Sequence, residues 1–161
     1  MYRRRFCKYW EDFVFHQLAQ GLQNASEESR SGHTWGGRYV NGAKFHPQAM
    51  KKGYSIPLKY NGAPDFSKYL AQVAKGQKNQ IKMKLTGSYH ADFKEADRLA
   101  GFTKDTPRPE KTTWHHVEDF NPKTGTATMQ LVKTDAHKAA TPHEGSAAQY
   151  RKHNNGKGYG K

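Results

Sequence analysis

Cysteine is almost absent: Cys7 is the single one in 161 residues. One thiol excludes an internal disulfide framework and a cysteine-based zinc module. Long apolar runs are missing too, and no stretch approaches the roughly 18 consecutive apolar residues that a membrane-spanning helix needs. The opening MYRRRFCKYWEDFVF is basic, but Lys8, Glu11 and Asp12 interrupt its apolar part. No small-residue cleavage site follows, so it does not read as a secretory signal. Acidic residues are scarce as well: 14 Asp and Glu stand against 27 Lys and Arg, a net charge of +13. That imbalance points to a polyanionic partner, with nucleic acid first and an acidic protein or a membrane surface behind it. Aliphatic content is low, and a mean hydropathy of −1.06 leaves only a lean core. Eight Phe, nine Tyr and three Trp carry much of its packing.

The length suits one domain with an appendage. In residues 6–23, Phe6, Trp10, Phe13, Val14 and Leu18 recur at helical spacing and predict an amphipathic helix. The Ser- and Gly-rich stretch after it reads as linker, so residues 1–55 form an N-terminal helix and linker-like region of no assigned role. A central domain is expected over 56–150, and a basic, flexible tail over 151–161. Within the domain, YSIPLKY predicts a short edge strand, with Pro57 keeping it from a sheet centre. NGAPDFSKYLAQVAKG predicts a turn and a short helix ending at Gly76. Ile81, Met83 and Leu85 alternate with Lys82 and Lys84, which predicts a strand with one apolar and one basic face. Phe93, Ala96, Leu99 and Ala100 share a helix face closed by Gly101. TTWHHVED, the turn cluster NPKTG and ATMQLVK then predict a β-hairpin. A short helix from Thr134 to Ala140 follows, and Thr141-Pro142-His143-Glu144 looks like the capping box of another. The fold class is α+β.

Four of the nine histidines, His115, His116, His137 and His143, fall within 29 residues on this strand–turn–strand–helix unit. Any one alone reads as a hydrogen-bonded or surface residue. Together they read as a site. Neutral imidazole is a common metal ligand, and three of them leave coordination positions open for water and substrate. A fourth, off the metal, can serve as a general base, since an unperturbed imidazole titrates near working pH. The doublet His115-His116 raises a geometric question, because adjacent side chains on a regular strand face apart. Both serve one centre only if the strand ends or bends at this pair.

The ordered set WHH at 114–116, TMQLV at 128–132, His137 and His143-Glu144-Gly145 resembles the HNH/endonuclease VII superfamily, and within it the bacterial toxin nucleases marked by a WHH motif. Pro64-Asp65-Phe66, the strand ending at Gly87, and Asp92-Phe93 followed by Ala96 and Gly101 are similar to that group's preceding region. The likeness spans roughly residues 60–147. It implies a ββα-metal (HNH, His-Me finger) core, a β-hairpin plus helix around one divalent ion, with further short strands and helices packed N-terminally. It implies His116 as the general base and His115, His137 and His143 as metal ligands. Colicin-type relatives carry an Asn on the second strand that supports the base; here Met129 and Gln130 stand nearest, so Gln130 is the candidate for that role. Their helix ligands are four residues apart, whereas His137 and His143 are six apart, and Pro142 breaks the helix between them.

Three imidazoles suit zinc, nickel or cobalt by softness, while magnesium prefers oxygen but is abundant. The cofactor expected is one divalent ion: Zn, Ni, Mg or Mn. Asp135 and Glu118 could add an oxygen, but each reads first as a cap or surface charge, as does Asp119. Trp114 reads as core, and Asp65 and Asp92 as helix caps or partners of nearby cations. Lys82, Lys84, Arg151, Lys152 and Lys157 are candidate phosphate contacts. The function expected is a metal-dependent, sequence-nonspecific DNA endonuclease, the toxin portion of a delivered bacterial effector acting in the target cell's cytoplasm. The resemblance implies a cognate immunity protein, acidic by charge complementarity. Two alternatives compete: an RNase of the same fold, and a non-enzymatic basic nucleic-acid-binding module with a structural zinc.

Overall fold

The computed structural model of the protein describes residues 38–40 and 43–160. The helix expected over 6–23 lies outside the described residues, as does most of the Ser/Gly-rich stretch after it. Strands β1 (Arg38–Val40) and β2 (Ala43–Phe45) form a small antiparallel pair. Helix α1 (Pro47–Lys51) follows, with proline in its first turn and His46 as its cap. His46 Nδ1 accepts from the Ala49 N–H at 3.3 Å. That tautomer leaves Nε2–H to donate to the Pro142 carbonyl, 96 residues on, at 3.4 Å. Ala49 is fully buried among Ile56, Phe66, Val132 and Ala136. A division at residue 56 therefore cuts through a packed core.

The main sheet has the order β3-β5-β4, all antiparallel, from β3 (Gln80–Lys84), β4 (Thr112–His116) and β5 (Thr126–Lys133). β5 lies in the centre. In β3 the expected alternation holds: Ile81 and Met83 are buried, Lys82 and Lys84 exposed. The hairpin turn is set by Asn121, whose side-chain oxygen accepts from the N–H groups of Lys123 and Thr124.

Each face of the sheet carries a core. On one, Trp114, Met129, Leu131, Ile81 and Met83 pack with Ala96 and Ala100 of helix α2 (Tyr89–Ala100). Ser88 caps the start of α2, and Gly101, at φ 83°, its end. The Trp114 indole N–H donates to Asp97 Oδ1 at 2.8 Å, so its one polar atom is satisfied inside this core. On the other face, Val132 and Phe66 pack with Ala136, Ala139 and Ala140, at or just beyond helix α3 (Thr134–Ala139). Helix α4 (Ser146–His153) follows, with Ala147 in the Trp114 core.

Three local expectations change. The helix expected before Gly76 is only a 3-10 turn at Ser67–Tyr69. Asp65 ties back the N–H and hydroxyl of Ser67, while the Ala71 N–H donates to Leu131 on β5, drawing the chain out straight. YSIPLKY contributes isolated bridges, Phe45 to Pro57 and Leu58 to Pro64, rather than a strand. The capping box at Thr141 does not open a helix: α4 starts at Ser146, and residues 141–145 form a loop.

Candidate metal centre

β4, α3 and the loop after α3 bring three histidines together. His115 Nδ1 lies 3.3 Å from His137 Nε2. One ligand nitrogen each of His115, His137 and His143 falls within 4.8 Å of the others. An ion with tetrahedral bonds of about 2.0 Å wants its nitrogens about 3.3 Å apart, so the spacing and the donor set fit a divalent ion of the zinc type. The His143 Nδ1–H donates to the Ala140 carbonyl at 2.7 Å, which leaves Nε2 unprotonated. A ligating histidine is commonly oriented in this way by its second nitrogen.

Phe66, 1% exposed, closes one side of the cluster. Its ring centroid is 4.8 Å from His115, 5.5 Å from His137 and 5.7 Å from His143. Burial drives the His115 pKa down to about 2, helped by the neighbouring histidines, and that of His137 to about 4. Burial lowers His143 too, against the bond to Ala140. All three are thus held neutral at physiological pH, the form that binds a metal. Beside His143 opens a cleft of about 250 Å³ lined also by His46, Glu118 and Gln149. Glu118 Oε1 accepts from Lys59 at 2.7 Å, while its buried Oε2 has no hydrogen-bond partner among the described residues.

His116 is not in this cluster. It faces the other core, with Nε2 3.0 Å from Asp92 Oδ2 and its ring against Tyr89, Phe93 and Tyr159. β4 ends at His116 without a bend, so the two imidazoles point to opposite faces, as the period of two requires, which counts against the expectation that both serve one centre. Asp92 is fully buried. Burial alone would raise its pKa, but hydrogen bonds from His116, Tyr159 and Thr86 outweigh it and hold the carboxyl below its usual value. The carboxylate can therefore only accept, and His116 carries its proton on Nε2. Nδ1 has no protein hydrogen bond among the described residues and is the nitrogen left to take a proton.

Gln130 does not support His116. It is the cross-strand partner of His115, on the other face, and its amide donates to Gln80 at 3.0 Å. The hydrogen-bond partner of His116 is Asp92 instead. Lys82 and Lys84 pair with Thr128 and Thr126 on β5, on the face that carries His115. The basic stripe and the histidine cluster thus share one side of the sheet. Arg151 and Lys152 are exposed in the last turn of α4. Lys157 is exposed in the segment beyond, which turns back instead of trailing away and buries Tyr159. Asp119 accepts from the Thr128 N–H and hydroxyl, and Asp135 is exposed in the first turn of α3.

Gly145 joins the two histidine environments. A Cβ there would stand 2.0 Å from the His116 carbonyl oxygen. Its backbone is extended, at φ −138°, so close approach and not conformation demands glycine.

An antiparallel hairpin, a short helix and three imidazoles converging from strand, helix and loop give a mixed α+β fold consistent with that of the ββα-metal nucleases. Residues 104–153 match the model of a family described as a nuclease of the HNH/ENDO VII superfamily with conserved WHH. Over these residues the chain is similar to that family. No curated protein and no solved structure matches the chain.

Sequence reading missed three contributors. Asp92 read as a cap, yet it shares a stripe with Ala96 and Ala100 at i, i+4 and i+8; a carboxylate on a buried stripe signals a partner inside. Phe66 stood in a stretch similar to the family's preceding region without any sign of its packing, and Tyr159 gave no signal, since the placement of both depends on long-range folding.

Proposed function

We propose that this protein is a metal-dependent endonuclease that hydrolyses DNA phosphodiester bonds with little sequence preference. Similarity to a nuclease family supports hydrolysis of nucleic acid. The observation that carries the metal-dependent reading is the His115–His137–His143 cluster on the sheet face that holds Lys82 and Lys84. We also propose its setting: the toxin portion of a bacterial effector acting in the cytoplasm of a target cell, partnered by an acidic immunity protein. The net charge of +13 supports both a polyanionic substrate and an acidic partner.

His115, His137 and His143 would hold the ion, which when bound supplies positive charge to the phosphate and to the departing oxygen. His116 is the general base. Its Nδ1 takes the proton of the attacking water while Asp92 keeps Nε2–H fixed and stabilises the imidazolium that forms. His116 sits near enough to the cluster to add to the electrostatic cost of protonating His115 and His137, consistent with one phosphate spanning the end of β4. Lys82 and Lys84 meet the flanking backbone, with Arg151, Lys152 and Lys157 as contacts on the side of α4.

Two observations favour the rival reading, a nucleic-acid-binding module with structural zinc: the doublet faces apart, and His115 is only 2% exposed. The experiment that separates them incubates purified protein with plasmid and with structured RNA, with divalent ions and with EDTA. The expected result is DNA nicking that EDTA abolishes without unfolding the domain, and a loss of at least about 100-fold in His116→Ala. Preference for RNA would change the substrate class. Unfolding in EDTA with no cleavage would replace the enzyme by the zinc module.

A further inference from the structure

Tyr159 lies beyond the matched segment, in a stretch, NNGKGYGK, whose composition reads as a frayed tail. It is 5% exposed. Its ring lies 5.4 Å from His116, 4.8 Å from Tyr89 and 5.4 Å from Tyr150. Its hydroxyl donates to Asp92 Oδ2, the oxygen that faces His116 Nε2. The other carboxylate oxygen, Oδ1, accepts from the Thr86 N–H at 2.8 Å and the Thr86 hydroxyl at 2.7 Å. Thr86 thus fixes one oxygen, and Tyr159 shares the second with the imidazole.

The chain goes to some length to bring Tyr159 there. After α4 it reverses through Asn155 and Gly156, at φ 52° and 82°. The Gly156 N–H donates to Arg151, and the Tyr159 N–H then docks on the Gly87 carbonyl. Gly158 must be glycine, since a Cβ would stand 2.9 Å from the Tyr150 ring at a backbone φ of +86°. Tyr159 itself sits at φ +48°, a left-handed conformation that strains a residue with a side chain. Packing alone would need neither the strained backbone nor the hydroxyl, because a phenylalanine ring covers the same apolar surface. Burial and Asp92 together push the phenol well above its usual pKa, so it is a donor throughout the working pH range.

We propose that Tyr159 is a positioning residue for His116, holding the Asp92 carboxylate so that Oδ2 keeps the imidazole in one tautomer and one orientation. It acts through Asp92 and touches neither substrate nor metal. The inference rests on the reading of His116 as the general base. Without the hydroxyl, Oδ2 keeps a single donor, the carboxylate swings about its Thr86 anchor, and the imidazole follows it.

The test is Tyr159→Phe in the full chain, which removes one oxygen and leaves the ring. Plasmid cleavage with the best-supporting divalent ion should show kcat down about tenfold with KM unchanged, the scale of loss when an orienting partner is removed. Metal affinity should stay close to the parent value, while the melting temperature falls by several degrees, as the loss of one buried hydrogen bond to a carboxylate requires. Independently of turnover, long-range proton–nitrogen NMR should show His116 as a single Nε2–H tautomer in the parent and a mixture in the variant. An unchanged kcat, a loss appearing in KM, or an unchanged tautomer each overturns the inference. His116→Ala separates it from the reading beneath: activity surviving in that variant overturns the base assignment. A dead His116→Ala beside a fully active Tyr159→Phe overturns the role of Tyr159 alone.

Discussion

Gly145→Ala adds one methyl group where backbone already stands. The new Cβ would lie 2.0 Å from the His116 carbonyl oxygen and 3.2 Å from its carbon. Ordinary contact needs more than a further 1 Å, and the obstacle is backbone, which no rotamer change removes. The start of α4 must therefore move away from the end of β4. Three hydrogen bonds join these segments: Ser146 N–H to the Val117 carbonyl at 3.1 Å, the Gln149 amide to the Glu118 carbonyl at 3.1 Å, and Phe120 N–H to Gln149 Oε1 at 3.0 Å. Losing them at about 1 kcal/mol each costs about 3 kcal/mol, or a fall in melting temperature on the order of 10 °C. The same displacement shifts His116 and His143 in opposite directions, and an error of about 1 Å at a reacting centre costs about 100-fold in rate. The assay pairs a thermal melt with plasmid nicking under saturating divalent ion. An alanine variant that melts within 2 °C or so of the parent and cleaves at the parent rate would refute the argument.

Phe66→Ala should cost about 3–5 kcal/mol, the usual range for an emptied aromatic core site, and should weaken metal binding because the three imidazoles lose their common backing. Calorimetric titration with zinc checks it; an affinity equal to the parent's would show that Phe66 does not set the rings. The metal-free protein should lose stability on acidification. His115 and His137 have folded pKa values of about 2 and about 4, below the 6.5 of the unfolded chain, so protons favour unfolding as the pH drops under 6.5. By pH 5 the two together remove about 4 kcal/mol, and the loss continues through pH 4, where His137 begins to protonate in the folded state. Urea midpoints measured from pH 7.5 to 4.5 in EDTA should slope accordingly, and added zinc should move the fall to lower pH. A flat profile would mean that the histidines are not buried as described.

Local pattern carried the sequence reading where one element sufficed. Alternation in β3, the Gly101 cap of α2 and the turn at Asn121 each depend on residues within one segment or one hairpin, and each formed as expected; the apolar stripe expected on α2 formed only in part, since Ala96 and Ala100 are buried together with Asp92 while Leu99 is exposed. The grouping of His115, His137 and His143 was legible because all three come from one hairpin and the helix and loop that directly follow it. The surroundings of His116 were not. They draw on Asp92 from α2 and on Tyr159 from a stretch whose glycines suggested looseness, although glycines at positive φ are also how a chain turns sharply enough to dock. Gln130 was misread for a related reason: proximity in sequence to an expected motif said nothing of which sheet face it occupies. The 3-10 turn at Ser67 and the late start of α4 reflect long-range bonds that override local helix signals.

β5 occupies the middle of the sheet, and that position has a consequence for inheritance. The segment similar to the nuclease family, residues 104–153, holds β4 and β5 but leaves one edge of β5 unpaired without β3. It also lacks Phe66, which backs the three histidines, and Asp92, which grips the fourth. The recognisable signature is thus not a portable module that can be cut out and moved between polypeptides. A recombined piece that kept all of these contacts would have to run from His46 to Tyr159.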